Sequence, residues 1–264
     1  APEGFVAEQT IDATGQIVCP GIIDLQARLR EPGQRQKGSI ASETLAAASA
    51  GITTLCCPPD TNPVIDSPAV AAQIRRRAAK AAHARVLPIG ALTQGLAGEQ
   101  LGSMQALRKA GCIVMGNARH AIANTLVQRR AMEYAATLGL TVFLNSEDPY
   151  LGADGCIHEG VLSTRLGLAG VPECAEVIAV GRDLMLVEQT GVRAHFGQLS
   201  TARAVEMVAE ARAKGLPVSA DVSAHQLFLT EMDVAEFDSA CHVRPPLRSQ
   251  RDRDSLRSAF GDGV

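Results

Sequence analysis

Residues 20–33 read Pro-Gly-Ile-Ile-Asp-Leu-Gln-Ala-Arg-Leu-Arg-Glu-Pro-Gly: an apolar run, then polar side chains, then a sharp Pro-Gly turn. Side chains two apart on a strand project to the same side, so Gln26 and Arg28 are expected to face one site together. Two imidazoles at that spacing would grip one divalent ion. An amide is a poor substitute, and a guanidinium has no acceptor and keeps its positive charge at any working pH.

Other residues with chemical potential read better as architecture. His158, beside Glu159 and Gly160, has acid–base chemistry but reads as a loop hydrogen bond. His195, three residues before Gln198, reads as a satisfied core histidine, and so do His120 and His225. His83 and His242 belong to no constellation. Cys56-Cys57 ends an apolar run with no His or Lys placed near it by sequence, so a buried pair is expected rather than a nucleophile. The run Asp60-Thr61-Asn62-Pro63 has the composition of a turn, in which Asp and Asn bond local backbone and Pro fixes φ.

The elements that must position these residues follow a strand-then-helix rhythm. Apolar strand candidates span 22–25, 53–57, 86–91, 112–115, 141–144, 194–199 and 218–222. Segments of helical periodicity lie between them at 41–50, 69–82, 126–138, 175–190 and 202–214, and Gly51, Gly111, Gly139, Gly191 and Gly215 supply left-handed stops. Continuous apolar strands alternating with helices indicate a parallel sheet covered on both faces. Even spacing and polar strand endings favour a closed TIM-type (β/α)8 barrel, with function at the C-terminal strand ends. Residues 5–18 alternate, so 1–19 is expected to be the remnant of a small β element and 20–264 the barrel. About seven βα units are present, and residues 261–264 read as the lead-in to an eighth strand. Such a barrel would have two open edges, and residues 1–4 read as the middle of a longer chain.

Composition excludes several functions. The chain has 264 residues, 46% hydrophobic and 20% charged, with a net charge of −3. No basic stripe for nucleic acid is present; Arg75-Arg76-Arg77 and residues 248–257 read as solvated helix faces. No apolar run is long enough to span a bilayer. Seven cysteines, odd in number and without a CxxC pair, point to reduced thiols in a cytoplasmic protein.

Seven ordered segments resemble the dihydroorotase family of the amidohydrolase superfamily. They are residues 20–33; Gly51-Ile52-Thr53-Thr54 with Pro59-Asp60-Thr61-Asn62-Pro63; Asn145-Ser146-Glu147-Asp148 with His158-Glu159-Gly160; Gly170-Val171-Pro172 with Glu176; Gln198-Leu199-Ser200-Thr201; Ser223-Ala224-His225-Gln226-Leu227; and Arg244-Pro245-Pro246-Leu247-Arg248. The resemblance implies a zinc-type centre that generates hydroxide and polarises a cyclic amide. Its ligand positions carry over to Gln26, Arg28, Ala118 or its neighbour Asn117, Asn145 and Gln198, none of the required type, so the metal site is expected to be lost. A strand-eight Asp would lie beyond residue 264. Among substrate-binding positions Arg30 is retained, Asp60 replaces an Asn and should repel an anionic substrate, and Arg244 replaces another Asn. Arg28 is expected to pair with Asp24 or Glu147.

The resemblance is closest to the inactive dihydroorotase-like chains that assemble with aspartate transcarbamoylase. It implies a noncatalytic subunit with the transcarbamoylase catalytic chain as partner, and self-association as a dimer. The alternatives are a cyclic amidohydrolase with a rebuilt or single-metal site, and a metal-free sensor holding a carboxylate through Arg30.

Overall fold

The computed structural model describes residues 4–261. Its strands and helices alternate as β1 (Ile22–Asp24), α1 (Ile40–Ser49), β2 (Ile52–Cys57), α2 (Pro68–Ala81), β3 (Arg85–Pro88), β4 (Gly90–Ala91), α3 (Met104–Lys109), β5 (Val114–Gly116), α4 (Thr125–Thr137) and β6 (Thr141–Leu144). An excursion of β7 (Ile157–His158), α5 (Val161–Leu166) and β8 (Gly170–Val171) precedes α6 (Glu173–Thr190), β9 (Arg193–Phe196), α7 (Ala202–Ala213), β10 (Val218–Ala220) and α8 (Gln250–Gly261). β3 and β4 are one stave divided at Ile89, β3 pairing with β2 and β4 with β5. The stave order β1, β2, β3/β4, β5, β6, β9, β10 is parallel throughout.

Alternation along these strands sorts two apolar sets. Leu55, Met115, Val142, Ala194, Phe196 and Val218 join the large cluster between sheet and helices. Cys56, Ile89 and Phe143, with Leu25, Leu87 and Val114 against them, form a separate cluster whose members alternate with the first along the strands. His195 lies against Phe143, ring centroids 4.7 Å apart. Scarce aromatics are no handicap, because Ala, Val, Ile and Leu suit close helix-on-sheet packing.

The five predicted glycine stops all adopt positive φ, between 65° and 99°. α2 ends differently, on Ala82 at φ 57°. The solvated-face reading of the arginines holds only in part. Arg77 reaches the buried carboxylate of Glu31, which also accepts from the Ile40 amide at the start of α1. Arg248 precedes α8 and is 3% exposed.

The N-terminal β element is not formed. Residues 4–21 contain no helix or strand, and Phe5, Val6, Ile11, Ile17 and Val18 are all exposed. Alternation makes a strand only where a partner takes up its backbone hydrogen bonds, and among the described residues none lies beside this segment. β1 and β10 each pair on one side only, which leaves the two expected edges open; Ile22 and Ile23 on β1 are more than half exposed. Of the expected lead-in to an eighth strand, Gly261 ends α8 and residues 262–264 lie outside the described residues, as do residues 1–3 at the other terminus.

A candidate site at the C-terminal strand ends

The parallel strands deliver the residues singled out above to one end of the barrel. Gln26, Arg28 and Arg30 follow β1, Asp60 follows β2, Ala118 follows β5, Asn145 and Glu147 follow β6 and Gln198 follows β9; Asp221, not singled out by the sequence, follows β10. A side chain at Gly197 would place its Cβ 2.5 Å from Gln26 Nε2 and 3.5 Å from Asn145 Nδ2, so three staves meet here. Three residues in the mouth hold left-handed backbone without being glycine: Arg30 (φ 60°), Ala118 (φ 48°) and Gln198 (φ 57°). Each such residue costs about 1–2 kcal/mol, so the tertiary structure imposes these bends.

Arg28 is the first departure from expectation. Its Nε donates to Asp60 Oδ2 at 2.9 Å, not to Asp24 or Glu147. Asp24 is taken by the Gln26 amide at 2.9 Å, and Glu147 by Arg244. The parallel pairing of β1 and β2 puts their C-terminal ends side by side, which brings residues 28 and 60 together. Asp60 is therefore neutralised by Arg28, and its expected repulsion of anions is cancelled locally. The turn after it is closed instead by Thr61 Oγ1 donating to the Pro63 carbonyl at 2.7 Å.

Arg244 grips Glu147 through two nitrogens, Nη2 to Oε1 at 2.6 Å and Nε to Oε2 at 3.3 Å. This ties the loop before α8 to the end of β6. Arg30, exposed, donates only a long 3.3 Å bond to Gln34. The retained substrate-type arginine is thus turned to its own turn.

Sequence reasoning missed Arg119. It donates to Gln198 Oε1 at 2.6 Å and to the Arg244 carbonyl, spanning β5, β9 and the loop before α8. Burial first, then the nearby Arg28 and Arg244 charges, lower its pKa to about 10 against the opposing pull of Glu147 and Asp60. The available signal was its place beside Ala118, at the strand end where a ligand was sought. Asn117, the alternative to Ala118, is spent on structure: it accepts from Thr93 Oγ1 at 2.8 Å and donates to the His120 carbonyl at 2.8 Å.

The histidines divide. His195 is satisfied at both nitrogens, by Ser219 Oγ at 2.9 Å and Asp221 Oδ2 at 2.8 Å. His158 Nδ1 lies 3.1 Å from Arg248 Nη1, the loop contact expected of it. His120 is exposed, and His225 Nε2 is buried with no hydrogen-bond partner among the described residues, so neither is a satisfied core histidine. Burial raises the thiol pKa to about 11 for Cys56 and about 12 for Cys57, as buried small side chains require.

Glu176 organises the base of the mouth. Its carboxylate accepts from the amides and hydroxyls of both Ser200 and Thr201, and Arg248 donates to the same Ser200 hydroxyl at 3.1 Å.

The donors do not suit a zinc-type ion. Three amides, an alanine and a guanidinium stand at the positions where the resemblance expects imidazole and carboxylate. Gln26 Oε1, the best-placed amide oxygen, is buried and unpartnered. Arg28 and Arg119 instead bring two permanent cations to the strand ends. Among the described residues no three His, Cys, Asp or Glu side chains converge in a way that could hold a metal.

A parallel βα barrel with its polar residues gathered at the C-terminal strand ends has the layout of a TIM-type scaffold. Residues 15–204 match the family described as Dihydro-orotase-like. Over its full length the chain is 53% identical to a dihydroorotase-like protein of Pseudomonas aeruginosa and 52% identical to one of Pseudomonas putida, covering 62% of each. It is 42% identical over 256 residues to a dihydroorotase of Syntrophotalea carbinolica, covering 60% of that protein. The chain belongs to the dihydroorotase-like family, and it spans less than two thirds of the length of these relatives. Among solved structures, the L-hydantoinase of Arthrobacter aurescens superposes over the whole chain and 60% of its own length, with a TM-score of 0.85 at 20% identity. A dihydroorotase of Saccharomyces cerevisiae superposes over 94% of the chain and 68% of its own, with a TM-score of 0.69 at 16% identity. These likenesses carry the fold.

Proposed function

We propose that the chain is a catalytically inactive dihydroorotase homologue that acts as a structural subunit of an aspartate transcarbamoylase complex in pyrimidine biosynthesis. The observation that carries this reading is the pair of guanidinium groups at the mouth, Arg28 held by Asp60 and Arg119 held by Gln198. Hydrolysis of a cyclic amide on this scaffold needs a bound cation to activate water, and neither these charges nor the surrounding amides can bind one. Without activated water the barrel loses its chemistry by many powers of ten.

A scaffold maintained without its chemistry is useful for its surface. The architecture supports that use: strained turns at Arg30, Ala118 and Gln198 are kept, and the mouth is cross-linked by arginine. The partner is the transcarbamoylase catalytic chain, and the dihydroorotase-like chain self-associates as a dimer. All seven cysteines are free, in keeping with a reducing cytoplasm, and no helix among the described residues is long and apolar enough to cross a membrane.

The test is co-expression with the transcarbamoylase catalytic chain. The two should elute as one oligomer that fails to form when this chain is omitted, and neither dihydroorotate nor carbamoyl aspartate should turn over. Independent elution at working concentration defeats the assembly role; turnover with stoichiometric metal defeats the inactivity.

A further inference from the structure

Two exposed surfaces at opposite ends of the barrel carry opposite charge. Residues 67–111 hold seven Lys and Arg against one acid, Glu99. Arg77 is taken by Glu31, but among the described residues Arg75, Arg76, Lys80, Arg85, Arg108 and Lys109 pair with no carboxylate. Arg75 donates to the Ala110 carbonyl at 3.0 Å, so the C-terminal ends of α2 and α3 adjoin. The chain turns there from α2 into β3, which puts this surface at the N-terminal strand ends. An open groove of about 370 Å³ runs between α2 and the start of β3. Its floor is built from four alanines and Val86, Arg75 and Arg85 line it with His83 beside them, and no described carboxylate lines it.

The counterpart stands on the other end, in the connection from β10 to α8. Residues 228–243 contain Glu231, Asp233, Glu236 and Asp238 and no Lys or Arg. Phe228, Met232 and Phe237 are 70%, 59% and 62% exposed in the same segment. Its shape is fixed by its own hydrogen bonds. The Thr230 amide donates to Asp233 Oδ2 at 2.7 Å, the Ala240 amide to Asp238 Oδ1 at 2.8 Å, and the Phe237 amide to the Val234 carbonyl at 2.9 Å. Phe237 holds a left-handed φ of 56°, unfavourable for a residue with a Cβ, so local structure and not backbone preference presents its ring. Large apolar groups displayed on a fixed segment mark a contact surface. The carboxylates around them restrict what can meet it: a partner must offer an apolar recess among cations, without acids of its own.

The groove between α2 and β3 meets each of those conditions. The whole chain carries a net charge of −3, so two copies repel on average, and a contact that sets the basic end of one against the acidic end of the other reverses the sign locally. We propose that copies of this chain associate head to tail, segment 228–238 of one copy seating Phe237 in the alanine-floored, basic groove of the next. Such a contact joins two different surfaces, so it repeats along a row of copies or closes into a ring. It is distinct from a two-fold dimer, and it rests neither on the loss of the metal nor on the transcarbamoylase partner.

Sedimentation of the full-length protein over a range of concentrations tests it, in about 0.01 M and about 1 M NaCl, where the screening length is about 30 Å and about 3 Å. Association above the high-salt baseline should appear at low salt and weaken at least about tenfold at high salt. A loop variant, Glu236→Gln with Phe237→Asn, removes the charge and the ring while suiting the left-handed backbone. A groove variant, Arg85→Glu with His83→Glu, reverses the charge of the recess at two side chains that make no hydrogen bond or ion pair among the described residues. Each variant alone should stay at the high-salt baseline. Mixed in equal amounts they should form one-to-one pairs and nothing larger, because only one live loop and one live groove remain. Should the groove variant fail to fold, Arg85→Ala must still weaken self-association. The proposal is overturned by wild type that shows no salt-sensitive association, by a folded variant that associates as the wild type does, or by a mixture that fails to pair.

Discussion

Removing Arg28 should destabilise the barrel, and the structure sets the size of the effect. The Arg28–Asp60 pair has a single 2.9 Å bond and side chains 31% and 20% exposed. Opposite charges about 4 Å apart attract by about 4 kcal/mol at an effective dielectric of 20, before desolvation and side-chain entropy are subtracted. Fully exposed pairs retain about 0.2–1 kcal/mol, while breaking a buried pair costs about 3–5 kcal/mol. A pair of intermediate exposure falls between, so we expect a coupling of about 1–2 kcal/mol. Arg28→Ala, Asp60→Ala and the double variant form the cycle that isolates it. By thermal unfolding, each single variant should lose about 2–8 °C, because a domain of this size moves about 2–4 °C per kcal/mol. The double variant should lose little more than either single one. A coupling below about 0.3 kcal/mol would refute the reasoning, since Arg28 would then be a solvated charge that happens to touch Asp60.

Other consequences follow from the same geometry. Arg244→Ala should cost only about 0.5 kcal/mol by denaturant unfolding, because Arg244 is 47% exposed in its pair with Glu147. Burial lowers the His158 pKa, as does Arg248, against Glu231, Asp252 and Glu173, and burial and Arg119 lower that of His225. The unfolded chain then binds more protons than the folded one below the ordinary histidine value of 6.5. This part of the stability is complete above pH 6.5 and declines as pH falls toward the lower folded values, and the decline should be shallower in His158→Gln. Native alkylation at pH 8, read by mass spectrometry, should modify exposed Cys19 and Cys174 long before Cys57, whose pKa of about 12 leaves a thiolate fraction of about 10⁻⁴; equal rates would contradict that burial. Finally, Gln26→His combined with Arg28→His should not recruit zinc in a titration, because two imidazoles face amides at Asn145 and Gln198 and the charge of Arg119.

Much of the fold was legible because apolar runs and helical stretches carry their own period, and glycine stops fall where helices must end. The N-terminal element was misread because alternation reports a strand's two faces but not whether a neighbour exists. The amide, guanidinium and alanine residues at the strand ends were legible one at a time. Their new partners were not, because charge pairing depends on which strand ends adjoin: Arg28 and Asp60 were both marked as misfits, 32 residues apart, without being joined. Arg119 escaped because nothing local separates an arginine that bonds across the mouth from a solvated one. Arg248 shows the same difficulty: it stands at the edge of an arginine-rich stretch, yet its guanidinium turns inward to Ser200 and the Val171 carbonyl.

The central claim is that guanidinium and amide groups have replaced the metal centre of this family. Elemental analysis tests it most directly, on the chain purified without chelator from zinc-supplemented culture. The account predicts zinc far below one ion per chain and a melting temperature unchanged by EDTA. Zinc at about one ion or more per chain, co-eluting with the protein and removed by EDTA with loss of stability, would contradict it.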